Sequence, residues 1–133
     1  MSVTASQLEA ILSQIRVLPF ADRNYTIERI LMEFESDSEL ISRIANTLFR
    51  ITGVDCRAKT RQKDVIIARF IAYHYLYHEE GLTLQEIGQV FGKHHSTILK
   101  GIRVVDTWRE MNKVFKAENK IYDKLKYLMN NEN

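Results

Sequence analysis

A chain of 133 residues, 45% hydrophobic and 27% charged, suits one soluble globular domain, or a small domain with an appendage, with a modest core. Five glycines and one proline argue against an all-β fold, which needs many turns, and a formal charge of +2 is too small to announce a nucleic-acid binder in bulk. The charge is uneven, however: residues 1–52 hold more acids than bases, and the remainder more bases than acids.

The periodicity predicts helices throughout. Ser6 is a candidate N-cap, followed by Leu8, Ile11, Leu12 and Ile15 at helical spacing. After Pro19, a second helix is expected over about Asp22 to Glu35, with Tyr25, Ile27, Ile30, Leu31 and Phe34 as its apolar positions. Ser36, Asp37 and Ser38 form a polar break. Leu40, Ile41, Ile44, Leu48 and Phe49 mark a third helix ending near Gly53. The irregular stretch that follows holds the single cysteine, Cys56. It excludes an internal disulfide, suits a reducing compartment and reads as structural.

Next, Arg57, Lys59, Arg61 and Lys63 alternate. On an extended segment such residues point to opposite sides. An arm of this kind lays one arginine in a minor groove while its neighbours meet phosphates. Taken alone, the pattern reads first as a solvated basic loop; a downstream helix-turn-helix turns the reading toward DNA. A long helix is expected over about Gln62 to Glu79, with Val65, Ala68, Ala72, Tyr75 and Leu76 on one broad face and Gly81 stopping it.

The stretch from Leu84 to Ile102 reads as a helix, a glycine turn and a second helix. Ile87 and Phe91 share a face of the first. Gly88 is small enough for the second to cross close by. Gly92 suits the positive φ that ends a helix sharply. Ile98 and Ile102 pack back from the second helix, which is expected to continue to about Trp108. This is helix-turn-helix spacing, and the second helix of that motif commonly reads DNA. Its open face carries His95, Ser96, Leu99, Lys100 and Arg103. A last helix is expected over Asn112 to Met129, with Val114, Phe115, Ile121, Leu125 and Leu128 inward and Trp108 anchoring it. The Asn-rich end should fray.

Other constellations are weaker. His74 and His78 lie four apart, a metal-ligand spacing on one helix. No further Cys or His sits at a partner spacing, so two surface histidines are expected and no metal site. Tyr73, Tyr75 and Tyr77 read as core or half-buried packing rather than a stacking platform for bases. No Ser-His-Asp, paired-carboxylate or Gly-rich constellation stands out, and there is no GxxxxGK[ST] phosphate loop. Neither an enzyme nor a cofactor is expected. No apolar run approaches the roughly 20 residues of a membrane span, and no signal peptide opens the chain.

From Arg57 to Arg103 the sequence resembles the C-terminal DNA-binding domain of DnaA, the bacterial chromosomal replication initiator. The resemblance rests on KTR at Lys59 to Arg61, ARFIA at Ala68 to Ala72, LTLQEIGQVFG at Leu82 to Gly92 and KHHSTIL at Lys93 to Leu99. It runs without a gap from the basic loop to Gly92. It implies roles residue by residue. Arg57 and Lys59 belong to the family's basic loop, Arg61 takes the place of its minor-groove arginine, and Arg69 that of a phosphate-contacting arginine. Lys93 stands for the arginine of the family's signature and His95 for its histidine. Ser96 and Thr97 stand for its threonine pair, with His95 and Ser96 facing base edges and Thr97 serving phosphate or capping the helix. Leu99 matches an apolar position that touches a thymine methyl.

Two departures stand out. A single Gly92 replaces the usual glycine pair, and His94 replaces an aspartate. An aspartate accepts from cytosine N4, whereas a neutral histidine donates or accepts. With no GxxxxGK[ST] loop in these 133 residues, the family's ATPase domain is not expected in this chain.

The expectation is an all-α protein with a helix-turn-helix, similar to the DnaA C-terminal domain and to Trp-repressor-like folds. Residues 1–52 would complete the core or serve interaction or dimerisation, and residues 53–133 would form the DNA-binding region with its closing helix. The expected function is sequence-specific binding of double-stranded DNA in control of replication or transcription, in the bacterial cytoplasm and on the nucleoid. The alternative is an interaction module for a replication or transcription protein. Homodimerisation stays open, and no membrane partner is expected.

Overall fold

The computed structural model describes residue 7 and residues 38–131. The expected helices from Ser6 and from Asp22 to Glu35 lie outside the described residues. The rest is helical, with no strand among the described residues: α1 (residues 38–52), α2 (Lys63–His78), α3 (Leu84–Phe91), α4 (His95–Glu110) and α5 (Lys116–Asn131).

Helix α2 is the hub. It packs on α3, α4 and α5, most extensively on α4. Its sequence explains why. Val65, Ala68, Ile71, Ala72, Tyr73, His74, Tyr75 and Leu76 are all buried, so its second half is apolar nearly all round, as a central helix must be. Helix α1 adds the stripe Ile41, Ile44, Ala45 and Leu48 to the same core. Phe49, one position beyond that stripe, is 54% exposed, against expectation. The next 100° of helical rotation carries it out to solvent.

The ends are set by local chemistry. Gly81, at φ 72°, turns the chain after α2. The Leu82 amide then donates back to the Leu76 carbonyl at 3.0 Å, which satisfies a helix-end acceptor. Thr83 and Glu86 form a capping box on α3. Thr83 Oγ1 accepts from the Glu86 amide at 3.1 Å, and Glu86 Oε1 accepts from the Thr83 amide at 3.1 Å. At the other end of α3, buried Gln7 donates from Nε2 to the carbonyls of Gln89 and Val90 at 2.6 and 3.0 Å.

The last helix starts at Lys116, not near Asn112. Met111 leaves helical dihedrals at φ −103°, ψ 50°. The amides of Val114 and Phe115 both turn back onto its carbonyl, at 2.9 and 3.1 Å. That turn points Phe115 inward, 6.2 Å from the Trp108 ring, and leaves Val114 67% exposed. Asn119 completes the corner, donating to the carbonyls of Trp108 and Phe115 at 2.7 and 2.8 Å.

His74 is not a surface residue. It is buried between two partners, with Tyr122 Oη 2.8 Å from Nδ1 and Asp106 Oδ1 2.7 Å from Nε2. Burial lowers its pKa below the ordinary histidine value, against the upward pull of Asp106, which favours a neutral ring. A carboxylate only accepts, so Nε2 carries the proton to Asp106 and Nδ1 accepts the Tyr122 hydroxyl. One ring thereby ties α2, α4 and α5 together. Cys56 is equally closed off: burial pushes its thiol up to about 12, which suits a structural role. Tyr73 and Tyr75 are buried while Tyr77 is partly exposed, as core packing requires.

Helices α2 and α4 cross at Gly101. A Cβ there would stand 2.8 Å from Phe70 Cδ1 and 2.9 Å from Tyr73 Cδ2, inside any real carbon contact. The fully buried Tyr73 ring also packs edge-on against Phe91 at 4.9 Å, so it has nowhere to retreat. Gly101→Ala should therefore destabilise the protein by about 1–3 kcal/mol through overpacking, even though alanine is the better helix former. Urea denaturation of the two proteins checks the sign.

Candidate nucleic-acid interface

The turn of the helix-turn-helix is built from three constraints. Gly92 adopts φ 67°, ψ 38°, the left-handed region that glycine enters without a Cβ penalty. The Lys93 amide donates to the Gly88 carbonyl at 2.8 Å. A Cβ on Gly88 would stand 2.5 Å from the Lys93 carbonyl oxygen. Gly88 is therefore small for the turn and for the start of α4, whose His95 amide nitrogen would lie 3.8 Å from that Cβ; the separate close crossing of α2 and α4 is made at Gly101.

Helix α4 then starts on His94. Its Nδ1 accepts from the Ser96 amide at 3.2 Å and lies 2.8 Å from Ser96 Oγ. His94 is the cap, and Thr97 is not. The aspartate that the resemblance places here and the histidine found here share one property, a side-chain acceptor two atoms beyond Cβ. Since Nδ1 accepts, the His94 ring proton sits on Nε2. The His95 ring lies beside it, tilted by 36°, with centroids 4.1 Å apart.

The two faces of α4 differ sharply. Ile98, Gly101, Ile102 and Val105 are buried. On the other side Lys93, His94, His95, Ser96, Thr97, Lys100 and Arg103 are exposed, and Leu99 is half-buried. An open groove along this face is lined by Ser96, Leu99, Lys100, Arg103, Val104 and Thr107. The last two escaped the sequence reading. Helical spacing alone places them there, four residues beyond Lys100 and Arg103.

The basic arm divides into fixed and free parts. Arg57 is held. Its amide and its Nε both donate to Asp55 Oδ1, at 2.9 and 3.1 Å. Burial alone would raise the Asp55 pKa, but these Arg57 hydrogen bonds and the adjacent charge bring it below the usual carboxylate value. Arg69 acts from α2 as a clamp on the same loop. Its Nε donates to the Cys56 carbonyl at 3.1 Å, and its Nη2 donates to the carbonyls of Ala58 and of Thr60, the latter at 3.2 Å. Lys59 and Arg61 project into solvent. Arg69 adjoins Phe70, which meets Gly101, so the arm is anchored one residue from the α2–α4 crossing.

A family model described as the bacterial dnaA protein helix-turn-helix matches residues 38–105. Chromosomal replication initiator proteins DnaA are similar to this chain. The protein from Oleidesulfovibrio alaskensis is 35% identical over 77 residues, covering 58% of this chain and 16% of its own. That from Kosmotoga olearia is 21% identical over 129 residues, covering 97% of this chain and 27% of its own. That from Porphyromonas gingivalis is 28% identical over 101 residues, covering 75% of this chain and 21% of its own. The chain thus spans between 16% and 27% of the length of these curated relatives. No solved structure matches significantly.

Removing the acceptor at the start of α4 should cost stability independently of any ligand. His94→Ala is expected to lose about 1 kcal/mol, the usual worth of a cap, and His94→Asp to recover most of it. Paired denaturation curves decide this. If the aspartate variant unfolds as readily as the alanine one, His94 does not cap the helix.

Proposed function

The chain belongs to the bacterial DnaA helix-turn-helix family, a DNA-binding family, and we propose on that premise that it reads double-stranded DNA in a sequence-specific way, in control of replication or transcription on the nucleoid. The observation that carries this reading is the division of α4: one face locked into the core, the other polar, basic and, among the described residues, exposed except at half-buried Leu99 and Val104. In the proposed docking α4 enters the major groove with His95 and Ser96 leading, since the first turn of such a helix meets base edges. Lys93, Lys100 and Arg103 neutralise phosphates. Arg61 reaches an adjacent minor groove, where A·T-rich sequence concentrates negative potential. Arg57, Lys59 and Thr97 add backbone contacts, and Leu99 meets a thymine methyl. Arg69 serves this site by holding the loop that carries Arg61, with its charge close enough to the loop to favour a nearby phosphate.

The test is a selection of bound sequences from random duplex DNA at moderate salt. A consensus supports sequence reading, whereas no enrichment favours the alternative, a module that binds a replication or transcription protein. On the selected site, His95→Ala should cost about 1–3 kcal/mol, and far less on a scrambled one, where phosphate contacts dominate.

Binding should weaken steeply with salt, because each neutralised phosphate adds about 0.9 to the log–log slope. Four or more contacts predict a slope of several units, and a flat salt series would sink the DNA reading. Arg61→Ala should weaken binding more than Lys113→Ala, although each removes one charge. Arg61 projects from the anchored arm, whereas Lys113 lies in the exposed turn after α4. Equal losses in the two variants would mean that only net charge matters.

A further inference from the structure

Away from the face of α4 assigned to DNA, the fold brings three metal-ligating side chains together. We propose that His74, His78 and Asp106 bind a first-row transition-metal dication of the zinc class. The two histidines lie one turn apart on α2, with ring centroids 4.4 Å apart. Asp106 comes from α4. Its Oδ1 lies 2.7 Å from His74 Nε2 and 3.8 Å from His78 Nε2. One ligand atom from each residue lies within 4.8 Å of the others. Bonds of about 2.0–2.2 Å in tetrahedral array set neighbouring ligand atoms about 3.3–3.6 Å apart. The 2.7 Å pair therefore opens and the 3.8 Å pair closes, each by less than about 1 Å, and the two histidine nitrogens, within 4.8 Å of each other, close by up to about 1.5 Å.

The surroundings suit an open site. The side chains of His78 and Asp106 are 45% and 47% exposed, so an ion enters from solvent and keeps water in its remaining position. His74 is the buried anchor. Two imidazoles and one carboxylate favour zinc, cobalt or nickel over the all-oxygen ions calcium and magnesium. When His74 ligates through Nε2, its single ring proton sits on Nδ1 and is donated to Tyr122 Oη, 2.8 Å away. That is the outer hydrogen bond that usually orients a ligating histidine. Arg109, whose charge acts on His74, is turned to Asp123 Oδ1 at 2.8 Å, which offsets its charge. A bound ion would bridge the end of α2 to α4, stiffening the DNA-facing helix from behind.

The experiment uses metal alone on the full chain, so its outcome does not depend on DNA binding. Co2+ is followed by its visible absorption and Zn2+ by the thermal unfolding temperature. The proteins compared are wild type, His78→Ala, Asp106→Asn and the double variant His94→Ala/His95→Ala. His78→Ala leaves both hydrogen bonds of His74 in place, and Asp106→Asn keeps an acceptor for Nε2. Wild type and the double variant should both bind and be stabilised. His78→Ala and Asp106→Asn should bind at least ~10-fold more weakly, since losing even an outer-shell partner has that effect. Equal affinity in wild type and His78→Ala, loss of binding only in the double variant, or no response of wild type to a large excess of metal would each overturn the proposal.

Discussion

The structure depends on the crossing of α2 and α4 at Gly101. Two aromatic rings, Phe70 and Tyr73, press against helix backbone where any side chain would stand between them. This contact fixes which face of α4 is inside. Once Gly101, Ile98, Ile102 and Val105 are inward, the 3.6-residue repeat leaves Ser96, Lys100, Arg103 and Thr107 no choice but the outside. The polar face is thus a consequence of core packing, not a separate design. The His74 ring, a turn further along, repeats the linkage in hydrogen bonds and extends it to α5 through Tyr122.

What could be read from the sequence follows the range of the interactions. The helix-turn-helix was legible because its determinants are local: a glycine taking positive φ at position 92, and apolar residues at fixed spacing on either side. The capping box at Thr83 and Glu86 is also local, and the T-x-x-E pattern carries it. The partners of His74 were not legible. Asp106 lies 32 residues away and Tyr122 lies 48 away, and no periodicity within one helix points to either. The same holds for Arg69. The family resemblance implies phosphate for it, while its carbonyl partners on the loop come from a fold-back that spacing does not encode.

Val114 and Phe115 both looked like core, because hydrophobicity was all that distinguished either from its neighbours. The turn over the Met111 carbonyl admits only one of them. His94 was read solely for what it would offer a base, since the resemblance puts a DNA-contacting aspartate there. The residue also answers a backbone need, the orphan amides at the start of α4. Nδ1 meets the second demand, which leaves Nε2 for the first in the proposed docking.

The clamp of Arg69 on the loop has a thermodynamic consequence. A basic arm that hangs free must surrender backbone entropy when it settles on a surface, about 1–2 kcal/mol for each residue fixed. Here the carbonyls of Cys56, Ala58 and Thr60 are already held by one guanidinium rooted in α2. Much of that loss has been taken during folding. Association would then proceed without a coupled disorder-to-order transition of this segment. Its heat-capacity change should report little more than the apolar area covered at the contact.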